Sequence, residues 1–213
     1  MKKHIRIILN AAMSLDGKIG KSGERIRLSN DLDKKRVHEM RSDVDAIMVG
    51  INTILNDNPK LTAHYSEKKK NPIRIVVDSD ARTPLNANVM NISEARTIIA
   101  VSQKASDVRL RDLQKNGAEV IKAGISEVDL NLLIDKLKRQ GIKKILLEGG
   151  GILNHAMLSL GLVDEIYITI APRILGSGIN LINGSLEKEI LLKLEGIIQL
   201  NDQVVFHYIV DKK

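Results

Sequence analysis

Apolar residues gather along the chain in short runs at positions 5–13, 46–49, 73–77, 97–101, 119–121, 144–147, 165–171 and 204–210. Most of these runs are continuously apolar instead of alternating, which is the pattern of strands covered on both faces. Polar segments with helical spacing lie between them. Together they predict an α/β fold with a central, mostly parallel sheet flanked by helices. Asn30 and Asp31 open one predicted helix that runs through Arg41. Ser106 or Asp107 opens a second over 108–115, and Ser126, with Asp129 three residues on, opens a third over 128–140. Asn116-Gly117 and Gln140-Gly141 supply C-terminal stops. The last part of the chain departs from the alternation: after Ala171-Pro172 comes Gly176-Ser177-Gly178, and then two terminal runs expected to pair antiparallel. No repeat, low-complexity tract or linker divides the chain, so one domain is expected over 1–213.

Composition narrows the function. With 43% hydrophobic and 28% charged residues, and no apolar run near the roughly 20 residues of a membrane span, a protein free of the membrane is expected. Lys2, Lys3 and His4 lead straight into the first strand-like run, leaving no room for a secretory leader, so the expected location is the cytoplasm. The net charge of +7 could serve nucleic acid, but aromatic residues make up only 2%, with one Phe and no Trp. Base-stacking platforms are therefore nearly absent, and an anionic small ligand is the better expectation. The densest basic cluster, Lys68-Lys69-Lys70, reads as a solvated loop tip. The absence of cysteine excludes disulfides, iron–sulfur clusters, thiolate zinc sites and cysteine nucleophiles; no metal site is expected.

Three segments carry candidate chemistry. The sharpest runs from Ile145 to Asn154, a buried strand leading through Glu148, Gly149, Gly150 and Gly151 into an amphipathic helix that begins at Ile152. Glycines let backbone N–H groups approach a pyrophosphate, and a helix N-terminus adds donors and partial positive charge. The spacing is not the G-x-G-x-x-G of the usual dinucleotide fold, and a purely structural glycine turn stays open. Glu148 stands where open α/β sheets place their ligands and could accept hydrogen bonds from a heterocycle, or simply cap the next helix. In a second segment, Ser14-Leu15-Asp16-Gly17-Lys18, a strand enters a turn that presents a lysine. In a third, a strand over 46–49 meets Gly50, a short helix and the polar exit Asp57-Asn58-Pro59-Lys60-Leu61-Thr62. Taken alone, each of these two reads equally well as turn chemistry.

Taken together, Ser14 to Lys18, Arg36-Val37-His38-Glu39-Met40-Arg41, Gly50 through Thr62, Pro72-Ile73-Arg74-Ile75-Val76-Val77-Asp78-Ser79 and Leu147 to Gly151 resemble the riboflavin-biosynthesis reductase family over most of the chain. Within it they are most similar to the stand-alone archaeal branch, which acts on 2,5-diamino-6-ribosylamino-4(3H)-pyrimidinone 5′-phosphate. The resemblance implies a dihydrofolate reductase-like fold, a homodimer through the apolar strands after Val163, and hydride transfer to the ribosyl C1′ from NADPH, with NADH left open. It implies cofactor contacts at Thr53 and Asp57 near the nicotinamide, at Ser79, Asp80, Ala81 and Arg82 along the adenosine end, at Gly149, Gly150, Gly151 and Ile152 around the pyrophosphate, and at Val128 near the adenine. Arg41 is implied to hold the substrate phosphate, and Lys18, Leu61, His64 and Glu148 to make other substrate contacts. Lys18 and Asp57 are the proton-handling candidates, and Arg82 and Lys104 could each grip a 2′-phosphate. The chain departs from bacterial relatives at His64, where they carry arginine, and at Arg27, where they carry tryptophan. A zinc nucleobase deaminase needs cysteine ligands that this sequence lacks, so the substrate is expected to keep its 2-amino group. Reduction of the deaminated pyrimidine, a pterin reductase, a non-catalytic nucleotide sensor and a basic nucleic-acid binder are the competing expectations.

Overall fold

The computed structural model of the chain describes residues 4–21, 23–24, 26–64 and 71–212; the basic cluster at 68–70 lies outside them. The apolar runs form the strands β1 (Arg6–Ser14), β3 (Ala46–Gly50), β4 (Ile73–Val77), β5 (Thr97–Val101), β6 (Glu119–Lys122), β7 (Lys144–Leu147), β8 (Glu165–Ala171) and β11 (Gln203–Val210). With β10 (Leu192–Leu200) they make one nine-stranded sheet in the order β10-β11-β8-β1-β7-β3-β4-β5-β6. Pairing is parallel from β8 through β6, and β11 is antiparallel to both β8 and β10, as the terminal runs lead one to expect. A second, small sheet pairs β2 (Lys18–Gly20) with β9 (Ile179–Asn180).

Among the described residues five α-helices cover the sheet: α1 (Asp31–Ser42), α2 (Ile51–Asp57), α3 (Asp107–Lys115), α4 (Leu130–Arg139) and α5 (Gly151–Ser159). Two buried clusters divide them. Leu130, Leu133 and Leu137 of α4 and Leu153 and Met157 of α5 pack with Ile7, Leu9 and Ile145 on one face. Ile51 and Ile54 of α2 and Leu110 and Leu113 of α3 pack with Ile8, Ile47 and Val76 on the other. That two-sided cover is why the strands read as continuous apolar runs.

Helix starts follow side-chain chemistry. Asn30 caps α1, its side chain accepting from Asp33 N at 2.9 Å. The expected opening of the third helix at Ser126 is corrected: α4 starts at Leu130, capped by Asp129, whose carboxylate accepts from Leu132 N at 3.0 Å. The N–H groups that a Ser126 cap would serve are used elsewhere: Val128 N donates to Ser79 Oγ at 3.0 Å and Asp129 N to Ala123 O at 3.1 Å, which holds 126–129 outside the helix. Val128, expected inside the helix, therefore lies just before it.

The topology sets the position of the site. The chain builds outward from β3 to β6, returns to insert β7 between β1 and β3, and then continues to β8 on the far side of β1. The C-terminal end of β7 is thus the switch point where connections diverge and a crevice opens in α/β sheets. One buried cation braces the loops on the β3–β4 side. Arg74 is fully buried, and its guanidinium donates to Thr97 Oγ1 at 3.0 Å, Asn91 O at 2.8 Å and Ala95 O at 2.5 Å, with longer contacts to Lys60 O and Asn88 O at 3.4 Å. Burial pushes its pKa down from the ordinary arginine value, while the charge of Glu94 works the other way. Arg74→Met fills the space but leaves these carbonyls without donors, so denaturant unfolding should show a loss of about 3 kcal/mol or more. A variant as stable as the parent would mean the carbonyls find water instead.

Candidate active site

Three strand ends converge at the switch point. β7 stops at Leu147 and hands over to Glu148, then Gly149 and Gly150, before α5 begins at Gly151. Gly149 has φ +86°, a conformation that L side chains rarely adopt, so glycine is required there by the backbone. Gly150 is different: a Cβ built on it would meet only Thr53 Oγ1, at 3.5 Å, an ordinary van der Waals contact. Neither the backbone conformation nor any neighbouring atom bars a Cβ at Gly150, so the fold itself does not demand glycine there. Gly150 is the N-cap of α5, with no side-chain cap bond and no acidic residue in the first turn, so the leading N–H groups of the helix stay available to an anion. Gly50, the N-cap of α2, lies alongside and donates its N–H to Gly149 O at 2.8 Å.

Glu148 does not cap α5. Its two carboxylate oxygens accept from Arg41 Nε at 2.8 Å and Arg41 Nη2 at 2.7 Å, and Arg41 Nη1 donates to Thr62 O at 3.1 Å. The pair is largely buried, with side-chain exposures of 16% and 11%. Burial works against the arginine charge, but the attraction and hydrogen bonds of Glu148 outweigh it and raise the pKa. Arg41 thereby ties the last turn of α1 to the end of β7 and to the segment leaving α2.

Next to this pair is a cavity of about 420 Å³ lined by Ala12, Ile19, Ile26, Arg27, Leu28, Ser29, Lys34, Val37, His38, Arg41 and Asp57. Lys34, His38 and Arg41 project from one face of α1 at helical spacing, and Arg27 adds a fourth basic group. Burial first, then the charges of Arg41 and His64, lower the His38 pKa below its ordinary value, so His38 is neutral near pH 7. Its Nδ1 accepts from His64 N at 3.1 Å.

Lys18 lies on β2 at the mouth of the turn after β1. Its ammonium donates to Asn180 Oδ1 at 2.6 Å. Asp16 in the same turn accepts from Ser14 Oγ at 2.6 Å, Leu175 N at 3.0 Å and Gly176 N at 2.8 Å. The Ser14 hydroxyl and these backbone amides hold its pKa down at about 2.

A family comparison covers this whole framework: the model of the RibD C-terminal domain matches residues 6–206. The chain belongs to the RibD C-terminal domain family. It is 51% identical over 172 residues to a 2,5-diamino-6-ribosylamino-4(3H)-pyrimidinone 5′-phosphate reductase from Methanothermobacter thermautotrophicus, covering 80% of this chain and 79% of that one. It is 42% identical over 180 residues to the Archaeoglobus fulgidus protein of the same name, covering 80% and 81%. Among solved structures it matches a pyrimidine reductase-like protein from Corynebacterium diphtheriae with a TM-score of 0.86 at 25% identity, covering 98% of this chain and 93% of that one. The fold is the dihydrofolate reductase-like one of this family, and the chain is an oxidoreductase.

Half of the residues expected from sequence, namely Thr53, Asp57, Arg41, Glu148, Gly149, Gly150, Gly151 and Ile152, fall in two adjoining groups at the glycine turn and the cavity. Thr53 beside Gly150 and Asp57 in the cavity wall share α2, so this one short helix touches both the glycine cradle and the cavity. Gly151 begins α5 from a buried position, and Ile152 is exposed on its first turn. Ser79 and Val128 meet through their hydrogen bond at the far end of the same sheet edge. Asp80 faces Lys104 at 3.3 Å, Arg82 lies 3.8 Å from Asp78, and Ala81 sits buried in the turn with φ +57°. Of the expected substrate contacts only Arg41 lines the cavity; Lys18, Glu148, Leu61 and His64 do not. The Leu61 side chain is 2% exposed and packs in the core beneath α2. His64 is not among the residues lining the cavity; it bonds Thr62 Oγ1 at 2.6 Å and lies with its ring 5.7 Å from that of His38. Sequence reasoning missed Lys34 and His38, because charges on a helix face look like a solvated surface; their i, i+4, i+7 register with Arg41 was the available signal.

Removing Arg41 leaves a buried carboxylate without its partner. Arg41→Ala should therefore cost about 3 kcal/mol in denaturant unfolding of the free protein, and Arg41→Lys should recover little, because a single ammonium cannot reproduce the two-pronged contact. Unchanged stability in Arg41→Ala would show that Glu148 is satisfied by solvent and not held by α1.

Proposed function

We propose that the chain reduces the ribosyl C1′ of 2,5-diamino-6-ribosylamino-4(3H)-pyrimidinone 5′-phosphate to the ribitylamino product in riboflavin biosynthesis, using NADPH. The observation that carries this reading is the junction at α2: Thr53 borders the open space over Gly150 while Asp57 lines the basic cavity, so one helix bridges a seat for a pyrophosphate and a seat for a sugar phosphate. The names of the archaeal relatives supply the substrate class.

The residues present suit a dinucleotide. The uncapped first turn of α5 and the unfilled space at Gly150 offer backbone donors to a pyrophosphate, and Ser79 to Arg82 and Val128 border the direction in which an adenosine would extend. When bound, the reduced nicotinamide supplies the hydride. The rest of the chemistry falls to this chain's own residues. Arg27 and Lys34, which share the exposed Asp31 as ion-pair partner, give the cavity positive charge for the phosphate, beside the Arg41 side chain engaged with Glu148. The Glu148 oxygens each keep a lone pair beyond the bond to Arg41, and these accept from the amino group and ring N–H of the pyrimidine. The amino nitrogen pushes its lone pair toward C1′ as the C1′–O4′ bond breaks, O4′ takes a proton, and hydride addition at C1′ reduces the resulting C=N bond. The Lys18 ammonium steadies the charge that develops on O4′, and Lys18 or Asp57 furnishes the proton.

We further read the chain as a homodimer. Leu192, Leu194, Ile197 and Ile198 of the edge strand β10 are 42–58% exposed, an apolar strip that a second copy would cover. Among the described residues no helix is long and apolar enough to cross a membrane.

A cofactor-oxidation assay with the diamino ribotide, its deaminated counterpart and dihydrofolate, each with NADPH and NADH, tests the function. Turnover should be confined to the ribotides, with the diamino form favoured by roughly tenfold or more in kcat/KM. Turnover of dihydrofolate alone would overturn the reading, and equal rates on the two ribotides would remove the role of Glu148 in reading the pyrimidine edge.

A further inference from the structure

Gly176-Ser177-Gly178 and the residues after it form a strap that no step above uses. It leaves β8 and crosses the mouth of the site, where Leu181 N donates to Gly17 O at 3.1 Å and Asn183 N donates to Gly151 O at 3.0 Å. The strap therefore touches the turn that carries Lys18 on one side and the first residue of α5 on the other. Both contacts are close enough to dictate residue type. A side chain on Gly151 would collide with the backbone oxygen of Asn180, and one on Gly178, where φ is +153°, would collide with the backbone oxygen of Gly20.

Asn180 sits where these contacts meet. Its side-chain oxygen accepts from the Lys18 ammonium at 2.6 Å, and its backbone oxygen lies against Gly151. The β2–β9 pairing fixes the register, with Lys18 directly opposite Asn180. A lysine side chain has four rotatable bonds and would otherwise sample many positions in the mouth of the site.

We propose that Asn180 is the positioning residue for Lys18, holding its ammonium at a fixed place relative to the N-terminus of α5, and so to whatever is seated in the glycine cradle. The strap makes the distance between the proton-handling group and the cradle a property of the fold instead of a property of one flexible side chain. Asn180 itself contacts neither reacting atom; it acts through Lys18, and this inference rests on the role given to Lys18 above.

The test is a double-mutant cycle on the full chain with Asn180→Ala, Lys18→Met and the pair, read as kcat and KM for the ribotide and for NADPH. Alongside it, the rate at which an acylating reagent modifies Lys18 is measured by peptide mass spectrometry. Asn180→Ala should lower kcat by about ten- to hundredfold, in line with the cost of a misplaced catalytic group, with KM for NADPH within about twofold of the parent. Lys18 should acylate several times faster in that variant. Asn180→Asp, which keeps an oxygen at the same reach, should recover most of kcat. In the Lys18→Met background the Asn180→Ala change should cost nothing further. Unchanged acylation of Lys18 in Asn180→Ala, or an equal loss of kcat with and without Lys18, overturns the inference while leaving the role of Lys18 standing. Full turnover by Lys18→Met overturns both.

Discussion

Everything at this site depends on how one central strand ends. β7 is buried between β1 and β3, and at its C-terminus the chain must pass into α5 without placing a side chain over the first turn of that helix. Gly149 meets the backbone requirement through its positive φ, whereas at Gly150 neither φ nor a neighbouring atom bars a Cβ. The two glycines are adjacent but differ in kind: the fold demands the first and does not demand the second, which is the ground for the proposal that the second makes room for a ligand.

Around that strand end, the neighbouring elements are fixed by polar ties across long sequence separations. Arg41 joins α1 to Glu148, which sets the helix face carrying Lys34 and His38 against the cavity. A buried ion pair of this kind contributes little net stability, because desolvation offsets much of the attraction, but it fixes geometry: each partner is costly to leave alone. The strap from Leu175 to Asn183 plays the same part on the opposite side, bonded to Asp16, Gly17 and Lys18 at one edge and to Gly151 at the other. The cavity and the cradle are in this way set from two sides, with α2 between them.

Much of this was legible in the sequence, for a physical reason. Strands covered on both faces are mostly apolar, so 97–101 and 144–147 announce both their length and their burial, and 73–77 does so except at Arg74, whose buried guanidinium is satisfied by backbone carbonyls. Glycines at a strand end and Asn30 before a helix are equally local signals, and the resemblance carried by five separated motifs named the family correctly. Contacts between distant segments were not legible. Arg41 and Glu148 each look like a ligand contact when read alone, and their separation of 107 positions hides the bond between them. β2 and β9 are three and two residues long, too short to show any period, so the strap read only as a glycine-rich loop. Leu61 shows that burial is also hidden in a motif, since its side chain is used in packing.

The central claim is that the space over Gly150 is kept for the cofactor's pyrophosphate. The most direct measurement is the NADPH dissociation constant of Gly150→Val by titration calorimetry, with thermal unfolding in the absence of cofactor as the control for folding. The account predicts an unfolding midpoint close to the parent's and affinity weakened at least about a hundredfold, because a branched side chain occupies the seat and blocks the approach to the first turn of α5. A folded variant that binds NADPH as tightly as the parent would contradict it.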